Sequence, residues 1–529
     1  MAFGTTNLQG SPQAVGATFF NKTIENSLRM SDANNSTLQW SAGTPTSTSI
    51  WTMSFWVKFW APDAGQAETE VFSAGSSGSA YSFMALSTRR FVFPTELPGN
   101  RNKAYNFTFG DPASWYHVVV VADLNQSEKS QRVKLYVNGT FNDDTYVDNI
   151  TQTTWSFVNA NGITQNWGGK SGIANGNPGC DAYLAEINFC DGYSYGPEFF
   201  GEDKNGVWIP KEPNVTYGNN GYRLEFKQTG TGGASATTVG ADTSGNGNHF
   251  TDSGIESIDV TPDTPTNNWC ILNGLKVNQT TQVFEEGALE FSSTQTGQNP
   301  AVTSTFAVSS GKWYWEVYIR LQGNTVNSVG IAQNPNDIED DVYALYNKTT
   351  ALAYQANGQT RRNADASYGD TWTNGDIIGV ALDLDNGAVY FYKNGTIQNS
   401  GTAAFTGLSG EFTSYSLVYN SGAQVYNFGQ DASFAGNLTG GNVGTAVGGG
   451  GTWKYTPPSG YKALKTNNLP EPVFSPRNEP IENSYFYTTT YEGNSGGQRV
   501  GQFLPLNEVK TVNNAIRFED GDSPELRRD

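Results

Sequence analysis

The hydrophobic residues of this chain recur at every second position, and this spacing restricts its fold more than any other feature. The clearest apolar sets are Met53, Phe55, Val57 and Phe59; Val133, Leu135 and Val137; and Trp313, Trp315, Val317 and Ile319. A period of two is typical of strands that bury one face. No long segment shows the 3.6-residue period of an amphipathic helix, so we predict an all-β protein.

Asn-Gly pairs separate several of these strands. They occur at Asn138-Gly139, Asn161-Gly162, Asn386-Gly387 and Asn394-Gly395. Both residue types tolerate the positive φ angles that a two-residue hairpin turn requires. Short strands joined by such turns are typical of β-sandwiches.

Charge and hydropathy exclude several classes of partner. The net charge is −19, which argues against nucleic acid and against a polybasic membrane anchor. The longest apolar runs fall short of 18 residues, so we expect no transmembrane helix. The first residues have neither the basic region nor the apolar region of a secretory signal, so we expect none.

Two strand-rich blocks predict two separate β-sandwiches. The predicted divisions are an N-terminal arm at 1–22, a first sandwich at 23–205, a Gly/Pro-rich linker with one or two strands of its own at 206–268, a second sandwich at 269–434 and a C-terminal tail at 435–529. The tail carries a strand-like terminal segment.

The second block resembles a SPRY domain over about 165 residues. The matching segments are 311–317 (GKWYWEV), 329–332 (VGIA), 375–385 (GDIIGVALDLD), 389–395 (VYFYKNG) and 426–429 (YNFG). The resemblance implies a binding module that uses loops at one end of the sandwich.

The first block resembles a laminin-G-like, concanavalin A-type jelly roll. The matching segments are 51–58 (WTMSFWVK), 115–120 (WYHVVV), 133–139 (VKLYVNG) and 183–192 (YLAEINFCDG). Together, the two resemblances imply an all-β fold class for the chain, with two tandem jelly-roll sandwiches of the concanavalin A-like and SPRY types.

The order of segments across about 450 residues resembles virion proteins of tailed phages, especially marine ones. The additional segments are 197–202 (PEFFGE), 206–211 (GVWIPK), 242–250 (DTSGNGNHF), 263–268 (DTPTNN), 457–464 (PPSGYKAL) and 468–472 (NLPEP). The resemblance implies a tail-fibre or surface-appendage protein of the virion, assembled in the host cytoplasm. Its expected partners are other virion proteins and a host-surface glycan or protein, and its expected state is a homo-oligomer, with a trimer as the leading state.

The residues offer little support for catalysis. We expect His117 to be a buried strand residue and place His249 in a turn, and neither lies in a nucleophile motif. Glu186 and Asp191 are not spaced as a glycosidase pair, and the acidic residues near the C-terminus lie in a Gly- and Pro-broken stretch. We therefore predict a protein that is not an enzyme.

We expect no cofactor or metal. Cys180, Cys190 and Cys270 have no CxxC spacing and are expected to be buried free thiols. The 242–247 stretch (DTSGNG) resembles a calcium loop, but its twelfth position is Ser253 instead of glutamate. Laminin-G-like domains sometimes hold calcium at the sandwich rim, so calcium stays open as an alternative.

Aromatic and basic residues in predicted loops are the candidates for ligand binding. They are Tyr354, Arg361, Arg362 and Trp372 in the second sandwich, and Trp167 and Tyr193 in the first. Loops held by a rigid sandwich are where binding residues concentrate. We expect adhesion through these loops; the alternatives are an architectural decoration or adaptor protein and a glycosidase of concanavalin A fold.

The C-terminal segment repeats the start of the first sandwich. Without gaps, Val512, Ile516 and Phe518 align with Ile24, Leu28 and Met30. One interpretation is an evolutionary remnant. The other is a strand that adds to the sheet edge of a neighbouring subunit or virion protein, which makes these three residues predicted oligomer contacts.

Overall fold

The computed structural model describes residues 19–60, 69–77, 80–87, 89–93, 103–142, 157–169, 179–275, 282–294, 296–297, 299–333, 349–439 and 449–470. Within these ranges it contains 31 strands, β1–β31 in chain order, and five 3₁₀ helices of three residues each. The helices are Lys129–Gln131, Pro197–Phe199, Ser257–Asp259, Asn399–Gly401 and Thr466–Asn468. The prediction of an all-β chain is confirmed.

The chain groups into two units. The larger one extends through Glu202 and from Trp208 to Pro470, and it holds both sandwiches. In the smaller one the described part is Asp203–Val207, which contains the turn between β13 (Gly201–Lys204) and β14 (Val207–Pro210). Among the residues that the structure describes, no helix combines the length and hydropathy needed to cross a membrane.

The first sandwich has two antiparallel sheets. Sheet A has the order β10 (Thr140–Asn142), β9 (Val133–Val137), β8 (Tyr116–Asp123), β3 (Ile50–Phe59), β12 (Ala182–Asp191), β1 (Ser27–Met30), β17 (Val260–Thr261), with β15 (Tyr222–Leu224) also paired to β12. Sheet B has the order β16 (Thr251–Ser253), β2 (Thr37–Ser41), β11 (Thr164–Trp167), β4 (Thr69–Ser77), β5 (Ala80–Ser87), β6 (Arg90–Phe93), β7 (Lys103–Ala104).

The alternating residues of β3 fill the space between these sheets. Met53, Phe55 and Val57 join Leu38 of β2 and Trp167 of β11 in one buried cluster. The predicted inward face of this strand is therefore confirmed. Their burial stabilises the first sandwich, because each fully buried side chain of this size contributes about 1.5–3 kcal/mol.

The segment predicted as a linker, 206–268, supplies three strands to the first sandwich. β15 pairs with β12, β16 pairs with β2, and β17 pairs with β1. These strands are two or three residues long, too short to show an alternating pattern, and they lie in a Gly- and Pro-rich stretch. The domain boundaries themselves stay a prediction, but these strands belong to the sheets of the first block.

The second sandwich also has two antiparallel sheets. Sheet C has the order β18 (Gln282–Glu285), β19 (Glu290–Ser293), β31 (Gly422–Asn427), β21 (Lys312–Gln322), β26 (Ile377–Asp383), β27 (Ala388–Lys393), β28 (Thr396–Ile397), with β29 (Phe405–Thr406) also paired to β27. Sheet D has the order β20 (Ala301–Thr303), β30 (Thr413–Leu417), β22 (Ser328–Ala332), β23 (Ala351–Gln355), β24 (Gln359–Arg361), β25 (Asp365–Ser367).

The predicted Asn-Gly hairpins are seen most clearly at two positions. Asn138 and Gly139 have φ angles of 48° and 77°, and Asn394 and Gly395 have φ angles of 49° and 78°. Each pair joins neighbouring antiparallel strands, β9 to β10 and β27 to β28. Gly139 is required for a second reason, because a Cβ atom there would lie 2.3 Å from the indole of Trp208.

Part of the predicted C-terminal tail packs on the second sandwich. Trp453, Tyr461 and Ala463 form a buried cluster with Trp269 and with Tyr314 of β21. Glu316 of β21 also accepts hydrogen bonds from the backbone N–H groups of residues 454 and 455, at 2.9 and 2.8 Å. Residues 449–470 are therefore an integral part of this sandwich.

The two sandwiches are in contact through the outer face of sheet A. Trp56 and Tyr183, which point away from the first core, belong to the same buried cluster as Leu289 and Phe291 of the second block. The turn between β18 and β19 lies against sheet A, where the Tyr183 hydroxyl donates to the carbonyl of Gly287 at 2.8 Å. Separate sheets are confirmed, but one apolar cluster spans both blocks.

Candidate binding surfaces

The predicted aromatic candidates of the SPRY-like end lie in the core. Tyr354 is in β23 with no exposed surface, and Trp372 is 2% exposed. The Tyr354 hydroxyl donates to the backbone carbonyl of Asp370, and its ring lies 5.4 Å from that of Phe391. The predicted loop placement is therefore wrong for Tyr354, whereas Trp372 does lie in the loop between β25 and β26, with its side chain buried.

The two arginines beside them are more accessible. Arg361, at the end of β24, holds the carboxylate of Asp365 at 2.9 Å. Arg362 is exposed, and its Nε donates to the carbonyl of Thr349 at 3.2 Å. The structure thus brings a basic pair to the outermost strands of sheet D, and their role in binding stays a prediction.

The two candidates of the first sandwich differ in position and exposure. Trp167 is fully buried in β11, and its Nε1 donates to the Tyr222 hydroxyl at 3.0 Å. Its predicted loop placement is also wrong, because β11 pairs on both sides within sheet B. Tyr193 does lie in a loop, directly after β12, and it is half-buried.

Tyr193 belongs to a group of aromatic residues over the outer face of sheet A. We call Tyr136, Phe141, Tyr193, Tyr195 and Phe199 the aromatic surface. Phe141 is 47% exposed and the other four are half-buried. The rings of Tyr193 and Tyr195 lie 5.7 Å apart and nearly parallel, and those of Tyr195 and Phe199 lie 4.7 Å apart.

A buried apolar layer supports the aromatic surface from beneath. Val119, Val121, Cys190 and Phe200 form that layer. The sequence contains a signal for Tyr136 in particular, because it stands between the core residues Leu135 and Val137 and must point away from the core. Sequence reasoning missed Phe141 and Phe199, whose positions depend on β10 and on a 3₁₀ helix.

The aromatic surface has polar groups at its margin. Within the described part of the chain, the hydroxyls of Tyr136 and Tyr193 make no hydrogen bond. Glu198 is exposed nearby, and burial together with the Glu198 carboxylate raises the pKa of Tyr136. The Lys211 ammonium group donates to the backbone carbonyl of Glu198 at 3.0 Å.

His117 is buried and hydrogen-bonded at both ring nitrogens, as predicted. Its Nδ1 accepts from Nε1 of Trp208 at 2.9 Å, so the ring proton is on Nε2 and is donated to Ser54 Oγ at 2.9 Å. Burial lowers the pKa of His117 to about 3. A histidine that donates to the serine cannot remove its proton, so this pair is not an activated nucleophile.

The carboxylates near the end of β12 are engaged in structural contacts. Glu186 lies at a β-bulge with a φ of 48° and is held by Arg223, with the two groups 2.6 Å apart. Asp191 accepts from the backbone N–H of Thr46 at 2.6 Å and from the Asn159 side chain at 2.7 Å. The Glu186 carboxylate therefore ties β12 to β15, and the Asp191 carboxylate stabilises the loops that contain Thr46 and Asn159.

The carboxylate of the calcium-like loop already accepts hydrogen bonds from nearby backbone N–H groups. The Asp242 carboxylate accepts from the backbone N–H groups of Arg223, Ser244 and Asn248 at 2.8–2.9 Å. Among the residues that the structure describes, no group of three or more His, Cys, Asp or Glu side chains is placed to hold a metal.

The cysteine prediction is confirmed. Cys180, Cys190 and Cys270 are free and buried. Burial raises the pKa of each thiol, to about 11 for Cys270. The predicted oligomer contacts Val512, Ile516 and Phe518 lie outside the described residues.

Comparison with known proteins finds two family models that match parts of this chain. Residues 32–192 match the model of the concanavalin A-like lectin/glucanases superfamily, and residues 312–431 match the model of the SPRY domain. SPRY and laminin-G-like domains are typically binding modules, and the description of the superfamily also names glucanases, which are enzymes.

Individual relatives match only parts of the chain. An E3 ubiquitin-protein ligase, RKP of Arabidopsis thaliana, is 32% identical over 99 residues, which are 18% of this chain and 7% of that protein. The chain thus covers less than a tenth of that relative. The SPRY domain of human HERC1 is 22% identical over 29% of this chain and 96% of that one, with a TM-score of 0.26. The structure of stonustoxin is 15% identical over 30% of this chain and 27% of that one, with a TM-score of 0.25.

Each matched range lies within one of the two pairs of sheets and covers most of its strands. The chain therefore carries a laminin-G-like, concanavalin A-like domain followed by a SPRY domain, each folded as a β-sandwich.

Proposed function

We propose that this chain is a structural and adhesion component of a tailed-phage virion, of the tail-fibre or surface-appendage type. It would bind a host-surface glycan or protein, or neighbouring virion proteins, and it would not be an enzyme. The virion assignment rests on the resemblance across about 450 residues in the order of the sequence segments.

The observation that carries the binding role is the direct packing of two binding-type domains against each other. The apolar cluster that includes Trp56, Tyr183 and Leu289 packs them directly against each other. A fixed arrangement of two sandwiches suits attachment, because surfaces that are already oriented lose little conformational entropy on binding.

Buried polar groups support a non-catalytic role. His117, Glu186 and Asp191 are each committed to hydrogen bonds or ion pairs within the fold. A catalytic acid or base must instead reach a substrate proton within about 3 Å.

Assembly is part of the proposal. We expect residues 512–526 to act as a strand that pairs with a neighbouring subunit, in a homo-oligomer for which a trimer is the leading state. The sequence positions that this segment repeats are buried in the first sandwich: Ile24, Leu28 and Met30 are 3%, 0% and 0% exposed. A segment with the same apolar pattern is stabilised only when it pairs as a strand in an equivalent position of another sheet.

The proposal is tested on virions of the phage that encodes the chain. Antibodies against the full chain should label the tail or surface of purified particles in electron microscopy. The purified chain, in excess, should reduce adsorption of the phage to its host.

Different outcomes separate the alternatives. Labelling without any effect on adsorption would favour an architectural decoration protein. Unlabelled particles would contradict the proposal. Release of reducing ends from host polysaccharide, lost on replacing one named carboxylate, would favour a glycosidase.

A further inference from the structure

We infer that the folded chain joins the side chains of Lys58 and Asn268 in an amide bond, with Asp263 as the proton acceptor. Lys58 lies in β3 of the first sandwich, and Asn268 directly precedes the predicted start of the second. The bond is a covalent modification at the contact between the two sandwiches. It depends on neither the virion role nor any ligand.

The two reacting groups are already in contact. The Lys58 Nζ donates to Oδ1 of Asn268 at 2.8 Å. A carbonyl bond is about 1.23 Å long, so Nζ lies within about 4.0 Å of the carbonyl carbon Cγ. Groups that react within a fixed geometry start about 3–3.5 Å apart. A shift of at most about 1 Å therefore brings the amine to Cγ.

The side-chain amide of Asn268 is held in one orientation. Its Nδ2 donates to the backbone carbonyl of Ala113 at 2.6 Å, while Oδ1 faces Lys58. The opposite orientation would set two donors, Nδ2 and Nζ, against each other. The carbonyl group thus faces the amine, and the nitrogen that must leave is directed to a different partner.

Asp263 is placed to take a proton from the lysine. Its Oδ2 accepts from Nζ at 2.8 Å. Its Oδ1 accepts from Nε1 of Trp115 at 3.1 Å and from the backbone N–H of Trp269 at 3.2 Å, which fixes the carboxylate. Transfer of one proton from Nζ to Oδ2 leaves a neutral amine, which is the nucleophilic form of lysine.

Burial favours this proton transfer and protects the site. Lys58, Asp263 and Asn268 are 0%, 1% and 4% exposed. Burial penalises both charges of the ion pair, and the transfer of a single proton removes both. The ring of Tyr183 lies beside Nζ, with its centroid at 5.7 Å. Exclusion of water also removes the nucleophile that would compete with Nζ for Cγ.

The reaction balances without any co-reactant. A bond forms between Nζ and Cγ of Asn268, and the bond between Cγ and Nδ2 breaks. The lysine ammonium group gives up two protons. One leaves with Nδ2 as ammonia, and the other stays on the Asp263 carboxyl group. The site begins with one positive and one negative charge and ends with neither.

The bond closes a long loop of the chain. Lys58 and Asn268 are 210 residues apart in the sequence. A covalent link over such a distance restricts the unfolded chain and thereby stabilises the folded one, as a disulfide does. Before the bond forms, the same groups are the ion pair and hydrogen bonds described above. The bond adds to their contribution to stability.

The test is mass spectrometry of the purified full chain after digestion with trypsin. A modified Lys58 is not cleaved, so the linked product joins residues 30–89 to residues 228–276. We expect a mass equal to that of the two peptides less one ammonia. Separate peptides alone, with cleavage after Lys58, would overturn the inference. So would joined peptides that lack one water instead, because the bond would then be on Asp263.

Variants identify the groups that react. Lys58→Arg keeps the charge but cannot form this bond, and Asp263→Asn removes the proton acceptor. Both should yield only separate peptides and a lower thermal unfolding midpoint, with an unchanged circular dichroism spectrum. Lys312→Arg is the matched control, since Lys312 is also paired with an aspartate, Asp383, and it should leave the yield of joined peptides unchanged. An unchanged yield in Asp263→Asn would overturn the role of Asp263.

Discussion

Replacing Lys58 with methionine should destabilise the contact between the two sandwiches. Lys58 is completely buried in β3, and its Nζ donates to Asp263 and to the Asn268 side chain at 2.8 Å each, and to the carbonyl of Trp269 at 3.0 Å. Methionine keeps the length of the side chain and removes the charge. Asp263, 1% exposed, would remain as a buried anion without its cation.

The expected loss of unfolding free energy depends on the hydrogen bonds that Asp263 still accepts in the variant. It still accepts from Nε1 of Trp115 at 3.1 Å and from the backbone N–H of Trp269 at 3.2 Å, so it is partly compensated. Breaking a buried ion pair by removing one partner costs about 3–5 kcal/mol. The two retained hydrogen bonds place the loss near the lower end, about 3 kcal/mol. Lys58→Met combined with Asp263→Asn should recover much of that loss, because no buried charge remains.

Urea unfolding followed by tryptophan fluorescence measures the effect. Lys312→Met is the comparison variant: Lys312 is half-buried, its Nζ lies 2.7 Å from the Asp383 carboxylate, and its loss should lower the free energy of unfolding clearly less than Lys58→Met does. A loss of less than about 1 kcal/mol for Lys58→Met would refute the reasoning. So would a double variant that is no more stable than the single one.

Three further outcomes are expected. Burial raises the pKa of Glu316 from 4.5 to about 7. The stability that its protonated carboxyl contributes is therefore fully present below about pH 4.5 and is lost as the pH rises through 7, a loss of about 3 kcal/mol. Glu316→Gln should flatten that part of the stability–pH curve, and an unchanged curve would contradict the assignment. Arg361→Ala with Arg362→Ala should weaken adsorption or partner binding while the circular dichroism spectrum stays unchanged; full activity of this variant would exclude the basic pair. Deleting residues 510–529 should lower the oligomer mass in analytical ultracentrifugation, and an unchanged mass would contradict strand exchange.

The local pattern of the sequence determined the secondary structure and the inward faces of the long strands. Val380 and Leu382 alternate toward the core and pair with Phe391 and Val389, as the spacing around Asn386-Gly387 predicts. These features depend on neighbours within a few residues. That is why they can be predicted from the order of side chains alone.

The candidate site was predicted only in part, because exposure depends on distant elements. Tyr193 follows a strand and is accessible, as expected. Trp167 shows no alternation around it, which favours a loop, but β2 and β4 pair on either side of its strand and bury it. The sequence contains no local sign of which strands will be its neighbours.

What the sequence by itself determined is an all-β chain with two sandwiches and tight Asn-Gly hairpins. Only the tertiary structure decided what covers the outer face of sheet A. Alternation would place Trp56 and Lys58 in solvent, yet both are buried, Lys58 against an aspartate 205 residues away. Such a contact forms only once distant segments have folded together. Its free energy is the balance between the cost of removing both charged groups from water and the attraction and hydrogen bonds that they gain, and no local pattern of residues encodes that balance.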